Sequence, residues 1–350
     1  MELSVIIFLM GGLFLGWSLG ANDAANVFGT AVGTRMISFK TAAITCGFFV
    51  IIGAVVSGAG TTETLTKLGS IKSLPGAFAA CAAAGTAVYL MTKTGLPVST
   101  TQAIVGSIVG WNIYTGASTH IKTLITIIST WILCPIIAGL IAVFLFALTK
   151  KILLYSRIHI LRLDAYTRFA LIIAGAFGAY SLGANNIANV VGVFVPVSPF
   201  SNINIINIFN FSSTEQLFLL GGISIAIGVI TYSKKVMLTV GNDLLKLSPV
   251  AAFIVVISHS IVLFVFASQG ISNLLNSANL PAIPLVPVSS SQAIVGAVIG
   301  IGILKGGKEV KWHIARKIAL GWVVLPIISA MIALVMFFIL QNIFNQNIGL

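Results

Sequence analysis

Acidic side chains are nearly missing from this chain: there are 7 Asp and Glu in 350 residues, and charged residues of either sign make up only 7%. Soluble domains usually carry about 25% charged residues. With 58% hydrophobic residues and a mean hydropathy of +1.09, that class is excluded and the bilayer becomes the solvent. Cysteine is scarce as well. Cys46, Cys81 and Cys134 all lie in apolar stretches with no CxxC spacing, which excludes a disulfide framework and a metal clip. No His/Glu/Cys transition-metal spacing, no Gly-x-Ser-x-Gly and no phosphate-binding P-loop occurs, so the expectation is a non-enzyme without cofactors. The start of the chain lacks a basic n-region and a small-residue cleavage site, so residues 3–19 read as a retained membrane helix, not a signal peptide.

What the chain does contain, it contains twice. Ser18-Leu19-Gly20-Ala21-Asn22-Asp23-Ala24-Ala25-Asn26-Val27 returns as Ser181-Leu182-Gly183-Ala184-Asn185-Asn186-Ile187-Ala188-Asn189-Val190, with 8 of 10 positions identical. Leu96-Pro97-Val98-Ser99-Thr100-Thr101-Gln102-Ala103-Ile104-Val105-Gly106 returns as Val286-Pro287-Val288-Ser289-Ser290-Ser291-Gln292-Ala293-Ile294-Val295-Gly296. Trp131 with Pro135-Ile136-Ile137 is echoed by Trp322 with Pro326-Ile327-Ile328. The order is preserved, so a whole unit has been duplicated. Paired polar interruptions of duplicated hydrophobic segments are the mark of a secondary transporter.

Ten hydrophobic segments can be drawn: 3–33, 40–60, 74–92, 96–115 and 121–149, then 169–195, 216–233, 250–268, 285–304 and 316–341. The first is expected to break at its Gly-Ala-Asn-Asp, and Pro135 and Pro326 to kink the fifth and tenth. With ten alternations, the loops after segments 1, 3, 5, 7 and 9, counted with Lys40, Arg316 and Lys317 at the edges of the segments that follow, carry 16 of the 19 cations. Cation-rich loops stay cytoplasmic, which predicts both termini outside. A five-segment unit has odd parity, so the second copy enters from the opposite side, and this survives if segments 3 with 4 and 8 with 9 form re-entrant hairpins. The division is therefore 1–149 as the first inverted repeat, 150–168 as a basic cytoplasmic connector (Lys150, Lys151, Arg157, Arg162, Arg168) and 169–350 as the second repeat. The +12 net charge thus reports membrane orientation and lipid headgroups, and no nucleic-acid partner. The stretches 196–214 and 269–287 read as extracellular loops.

Asp23 is the only acidic residue deep in an apolar segment. At membrane depth such a group defaults to function, the plainer alternative being a cap on a half-helix. Gly20 through Asp23 can unwind a helix, and unwound carbonyls with Asn and Asp oxygens form a hard-oxygen cage suited to Na+. Asn26 lies one turn beyond Asn22, and Asn185, Asn186 and Asn189 repeat the set without the charge. Ser99 and Ser289 are natural N-caps for the helices that follow. Two such N-termini brought together make a site for a small oxyanion, ringed by Thr100, Thr101, Gln102, Ser290, Ser291 and Gln292. The competing reading is hydroxyl glue between helices. His259 reads as a hydrogen-bonded packing residue of segment 8. Lys93 reads as a snorkelling cation, or more sharply as a guide for the anion.

These motifs, Gly-Ala-Asn-Asp-x-Ala-Asn and Gly-Leu-Pro-Val-Ser-Thr-Thr in that order and doubled, resemble the inorganic phosphate transporter (Pit) family over nearly the whole chain. The resemblance implies a symporter of inorganic phosphate coupled to Na+ or H+. It places coupling cations at Asn22, Asp23, Asn26, Asn185, Asn186 and Asn189. Phosphate would lie at Ser99, Thr100, Thr101, Ser289, Ser290 and Ser291, beside Gln102 and Gln292. The chain departs from the family at Asn186, where members commonly carry Asp, and at Gln102 and Gln292, where many carry His. It is also apolar near Val50 and Val256, where eukaryotic members carry Glu. The absence of a long central hydrophilic loop points to a prokaryotic cytoplasmic (inner) membrane. Sulfate transport, as in some members of that family, and a passive anion channel stand as the alternatives. Alternating access follows from paired sites, and a homodimer is compatible with the chain.

Overall fold

The computed structural model describes residues 3–69, 71–93, 97–156, 158–205, 209–243 and 247–349. Leu96 of the first hairpin motif and Arg157 of the connector fall outside them. The described residues form twelve α-helices, one 3-10 helix and one small hairpin. In chain order they are α1 (Leu3–Gly33), α2 (Phe39–Ser57), α3 (Ala59–Leu68), α4 (Leu74–Thr92), α5 (Thr100–Thr115) and α6 (Ile121–Ser156). Then come α7 (Ile160–Val191), α8 (Ser213–Asp243), α9 (Pro249–Ala267), α10 (Gln269–Ser277), α11 (Ser290–Leu304) and α12 (Trp312–Asn342). The 3-10 helix covers Gly192–Val197, and strands β1 (Ile203–Ile205) and β2 (Phe209–Phe211) pair antiparallel between α7 and α8. The protein is all-α and polytopic.

Each of the ten expected segments is a helix. Seven of them (α1, α2, α4, α6, α8, α9 and α12) are long and apolar enough to cross a membrane. The other three fall short for physical reasons. α5 and α11 have 16 and 15 residues, about 24 Å at 1.5 Å per residue, against about 30 Å of hydrocarbon. α7 is long enough, but its Asn185, Asn186 and Asn189 and its charged first turns dilute the apolar character. Short α3 and α10 escaped the hydropathy pattern, as did the β-hairpin, so the expected loop 269–287 begins as a helix. The connector is also more helical than expected: Lys150 and Lys151 extend α6, Arg162 and Arg168 lie on α7, and among the described residues only 158 and 159 separate the two helices.

One expectation is overturned. α1 runs unbroken through Gly20-Ala21-Asn22-Asp23, and α7 likewise through Gly183-Ala184-Asn185-Asn186. The glycines serve close packing instead of unwinding: a methyl on Gly20 would strike the Ile225 carbonyl of α8, and one on Gly183 the Val50 carbonyl of α2. Small residues let backbones approach in lipid, where no hydrophobic force draws helices together. The asparagines stay within the helices, and Asn22, Asn26, Asn185 and Asn189 send their amides to other elements.

Packing partners correspond between the two halves. α1 lies on α8 and α7 on α2; α1 lies on α4 and α7 on α9; α5 lies on α12 and α11 on α6. The close approaches advance in the same direction along each pair. Gly106 and Gly110 of α5 face Pro326 and Ala330 of α12, while Gly296 and Gly300 of α11 face Pro135 and Gly139 of α6. Gly16 and Gly20 of α1 likewise meet Ser224 and then Ile225 and Val229 of α8. The outer faces of α6 (Ile132, Ile136, Leu140) and α12 (Ile327, Met331, Val335) are apolar and more than half exposed. Such a surface belongs in lipid, and the chain is an integral membrane protein.

Candidate functional site

The two polar motifs meet at the centre of the packed helices. Ser99 caps α5, its hydroxyl accepting from the Gln102 amide at 3.3 Å, and Ser289 caps α11 identically with the Gln292 amide at 3.3 Å. Both caps follow an extended Pro-Val link, because the residue before a proline avoids the helical region and ends any helix there. The two tips touch: the Thr101 hydroxyl lies 3.3 Å from the Val288 carbonyl. Two helix N-termini, each a partial positive charge, are thereby aimed into one region.

The asparagines bind the hairpins. Asn22 donates to the Val98 carbonyl at 2.8 Å and to Asp23 Oδ1 at 2.6 Å. Asn185 donates to the Leu263 carbonyl at 3.2 Å and the Val286 carbonyl at 3.5 Å, and accepts from the Val288 amide at 2.9 Å. Asn26 and Asn189 reach across the halves: Asn26 Nδ2 to Ser290 Oγ at 3.1 Å, and Asn189 Nδ2 to Thr101 Oγ1 at 2.9 Å. Asn189 also donates to Asn186 Oδ1 at 2.9 Å, and Thr101 Oγ1 donates toward the same oxygen at 3.4 Å. All fourteen expected site residues are brought together in this network or at its hairpin tips. Each is at most 3% exposed, so the arrangement is sealed from solvent.

Asp23 is electrostatically alone. Its Oδ1 receives amide hydrogens from Asn22 and, at 3.4 Å, Asn26, but among the described residues the ion pairs are Lys67–Glu63 and Arg168–Asp164, both exposed and distant in sequence. A buried carboxylate without a cation costs several kcal/mol, more than two neutral amides return. Several buried oxygens of the two motifs also lack a hydrogen-bond partner: Asn22 Oδ1 and Asn26 Oδ1, on the two residues that bond Asp23, and Asn189 Oδ1, Thr100 Oγ1, Gln102 Oε1 and Gln292 Oε1. Orphaned acceptors of this hardness fit an alkali cation, which needs only oxygen lone pairs. No group of three His, Cys, Asp or Glu suited to a transition metal occurs among the described residues.

Two residues outside the motifs need separate placement. His259 of α9 is fully buried, and its Nε2 lies 2.9 Å from Ser290 Oγ, so the packing histidine of segment 8 touches the site itself. The sequence signal was present as Ser258-His259-Ser260, a polar triplet in an apolar helix, but nothing in the linear order linked it to Ser290. Lys93 is exposed at the C-terminal cap of α4, and its ammonium stands 4.5 Å from the Tyr89 ring centroid. Thus it spends its charge on an aromatic face. Cys134 lies beside the second tip, its thiol 3.7 Å from the Ser289 carbonyl, and is inert packing like Cys46 and Cys81.

Comparison with known proteins gives the family and the fold. The profile of the phosphate transporter family matches residues 19–167, 160–273 and 282–348, which include both halves of the site. A relative from Methanocaldococcus jannaschii, named as a candidate phosphate permease, is 29% identical over 95% of this chain and 97% of its own length. Another so named, from Haemophilus influenzae, is 26% identical over 95% of this chain and 96% of its own. A solved structure named the sodium-dependent phosphate transporter superposes with a TM-score of 0.77 at 24% identity, covering 97% of this chain and 99% of that one. At that identity the likeness is one of fold.

Proposed function

Since this chain belongs to the phosphate transporter family, we propose that it is a symporter that carries inorganic phosphate with Na+. The observation that carries this reading is the buried Asp23 carboxylate with no protein cation among the described residues, set beside two helix N-termini that favour an anion. One carboxylate, one phosphate monoanion and two Na+ sum to zero, which a sealed, low-dielectric site demands. Phosphate alone, or two Na+ without phosphate, leaves net charge behind, so the second cation and the anion favour each other, and that mutual dependence is coupling. The name of the structurally similar protein, a sodium-dependent transporter, supports Na+ over H+.

The roles follow from chemistry. Asp23 with the orphaned amide oxygens of Asn22 and Asn26 supplies the cation shell, and Asn185, Asn186 and Asn189 supply a neutral second set. Because α1 is not unwound, the backbone oxygens of that shell come from the hairpin links near Val98 and Val288, not from the Gly-Ala-Asn-Asp turn. Ser99, Thr100, Thr101, Gln102, Ser289, Ser290, Ser291 and Gln292 surround the anion with hydroxyl and amide donors. The cation side and the anion side share the Asn26–Ser290 and Asn189–Thr101 bonds, so cation binding preorganises the tips.

The two halves, 1–149 and 169–350, are read as inverted repeats in a prokaryotic inner membrane with both termini outside. The crosswise packing supports this: α1 advances alongside α8 and α7 alongside α2, and the short turn between α1 and α2 reverses the chain, so α7 runs opposite to α1. Alternating access then means opening the sealed site first to one side and then to the other.

The test is uptake of labelled phosphate into proteoliposomes, with an inward Na+ gradient, with an H+ gradient, and with neither. Accumulation that needs the Na+ gradient supports the proposal. Uptake driven by H+ alone would reassign the coupling ion, and accumulation of sulfate instead of phosphate would overturn the substrate.

A further inference from the structure

Ser290 is held unlike its counterpart. In the repeated motif it stands where the first half has Thr100, yet Thr100 Oγ1 is buried with no partner, while Ser290 Oγ has two: Asn26 Nδ2 at 3.1 Å and His259 Nε2 at 2.9 Å. The asymmetry comes from α9. Its first-half counterpart, α4, presents Ala79-Ala80-Cys81-Ala82-Ala83-Ala84, and Cys81 turns its thiol to the Val190 carbonyl. Nothing there can reach a hydroxyl on the first tip.

The direction of the histidine bond follows from its other nitrogen. His259 Nδ1 is buried without a partner. A neutral imidazole carries its one hydrogen on either nitrogen, and buried donors are left orphaned less readily than acceptors. The hydrogen therefore sits on Nε2, which donates to Ser290. Asn26 also donates to it. With two donors filling its lone pairs, the Ser290 hydroxyl must turn its own hydrogen away from Asn26 and His259, at the first turn of α11.

We propose that His259 is a positioning residue for anion recognition: with Asn26 it fixes Ser290 as an obligate hydrogen-bond donor to the bound oxyanion. This rests on the reading of the tips as the anion site, and it goes beyond that reading by making one half's contact rigid and the other half's, at Thr100, adaptable. Without His259 the Ser290 hydroxyl can turn its hydrogen elsewhere and present a lone pair to the anion.

The test is concentration-dependent uptake by reconstituted protein, run in parallel with labelled phosphate and labelled sulfate. His259→Phe keeps the bulk and removes the donor, and is expected to raise KM for the transported anion about ten- to a hundred-fold, with a smaller change in maximal rate. His259→Gln, whose amide nitrogen falls near the position of Nε2, should recover most of that loss; His259→Asn, which is too short, should not. In a Ser290→Ala background His259→Phe should add nothing further. Equal effects of Phe in both backgrounds, or Gln no better than Asn, would reduce His259 to packing and overturn the inference. If the Phe variant does not insert, the Gln and Asn pair decides alone. A wild type that carries sulfate and not phosphate would sink the substrate assignment, but the same comparison made with sulfate still judges His259.

Discussion

The Asn26 amide donates to the Ser290 hydroxyl at 3.1 Å, across 264 residues of chain. One end of this bond belongs to the helix that carries the buried Asp23, the other to the N-terminus of a helix in the second half. Asn189 and Thr101 make the reciprocal connection at 2.9 Å. Neither half of the duplicated chain holds a complete site.

The charge of Asp23 is expected to be indispensable, and its shape is not. Asp23→Asn keeps the volume and both hydrogen-bonding positions but removes the charge that balances the second cation. Na+-driven phosphate uptake should fall at least about a hundred-fold, since one uncompensated charge in a sealed site exceeds the 2.7 kcal/mol that this factor represents. Membrane insertion and the melting profile in detergent should be unchanged. Full coupled uptake by the variant would remove Asp23 from the cation shell.

The loops after the two short hairpin helices should face opposite sides of the membrane. Ser118, after α5, and Lys308, after α11, are both exposed and occupy equivalent places in the duplicated unit. Single cysteines there can be probed in intact cells with an impermeant maleimide, because Cys46, Cys81 and Cys134 are buried. Ser118→Cys should label from outside and Lys308→Cys only after permeabilisation. Labelling of both from one side would exclude inversion.

Asn185 should anchor the second hairpin link. Its side chain satisfies the buried Val288 amide and reaches the Val286 and Leu263 carbonyls. Asn185→Ala leaves that N–H unpaired, at a cost of about 1–3 kcal/mol. Hydrogen exchange at the Val288 amide should accelerate while exchange within α5 of the other half stays unchanged. Unchanged protection at Val288 would show that the bond is dispensable.

The seam between α11 and α6 has no room for a side chain. A methyl on Gly296 would meet the Pro135 carbonyl, as one on Gly106 would meet that of Pro326. Gly296→Val should destabilise by at least about 1–3 kcal/mol, the usual cost of overpacking. It would appear as a lower melting temperature in detergent. The same change at Gly306, which has open space around it but a positive φ of 96°, should act through backbone strain without touching that seam.

Hydropathy located ten helices because crossing lipid demands long apolar runs, and the N-caps Ser99 and Ser289 were legible because capping is local chemistry. The break expected at Gly20 to Asp23 was not found. Gly, Asn and Asp unwind a helix only when their freed groups find better partners, and here α8 presses on Gly20 while Asn22 bonds Val98 without leaving the helix. The short helices α3 and α10 left no hydropathy signal, since neither is long enough to show one. His259 was visible only as a polar residue in an apolar helix; its partner lies 31 residues away on a different element.

By itself the sequence determined the solvent, the duplication, the alternation of cationic loops and the residue types able to hold an anion and a cation. Those properties reside in composition, period and local order. Only the tertiary structure decided which amides donate to Asp23, that the helices stay whole, and that His259 and Asn26 converge on Ser290. Side-chain hydrogen bonds between elements depend on distance and direction, and linear spacing encodes neither once the chain has crossed the membrane and returned.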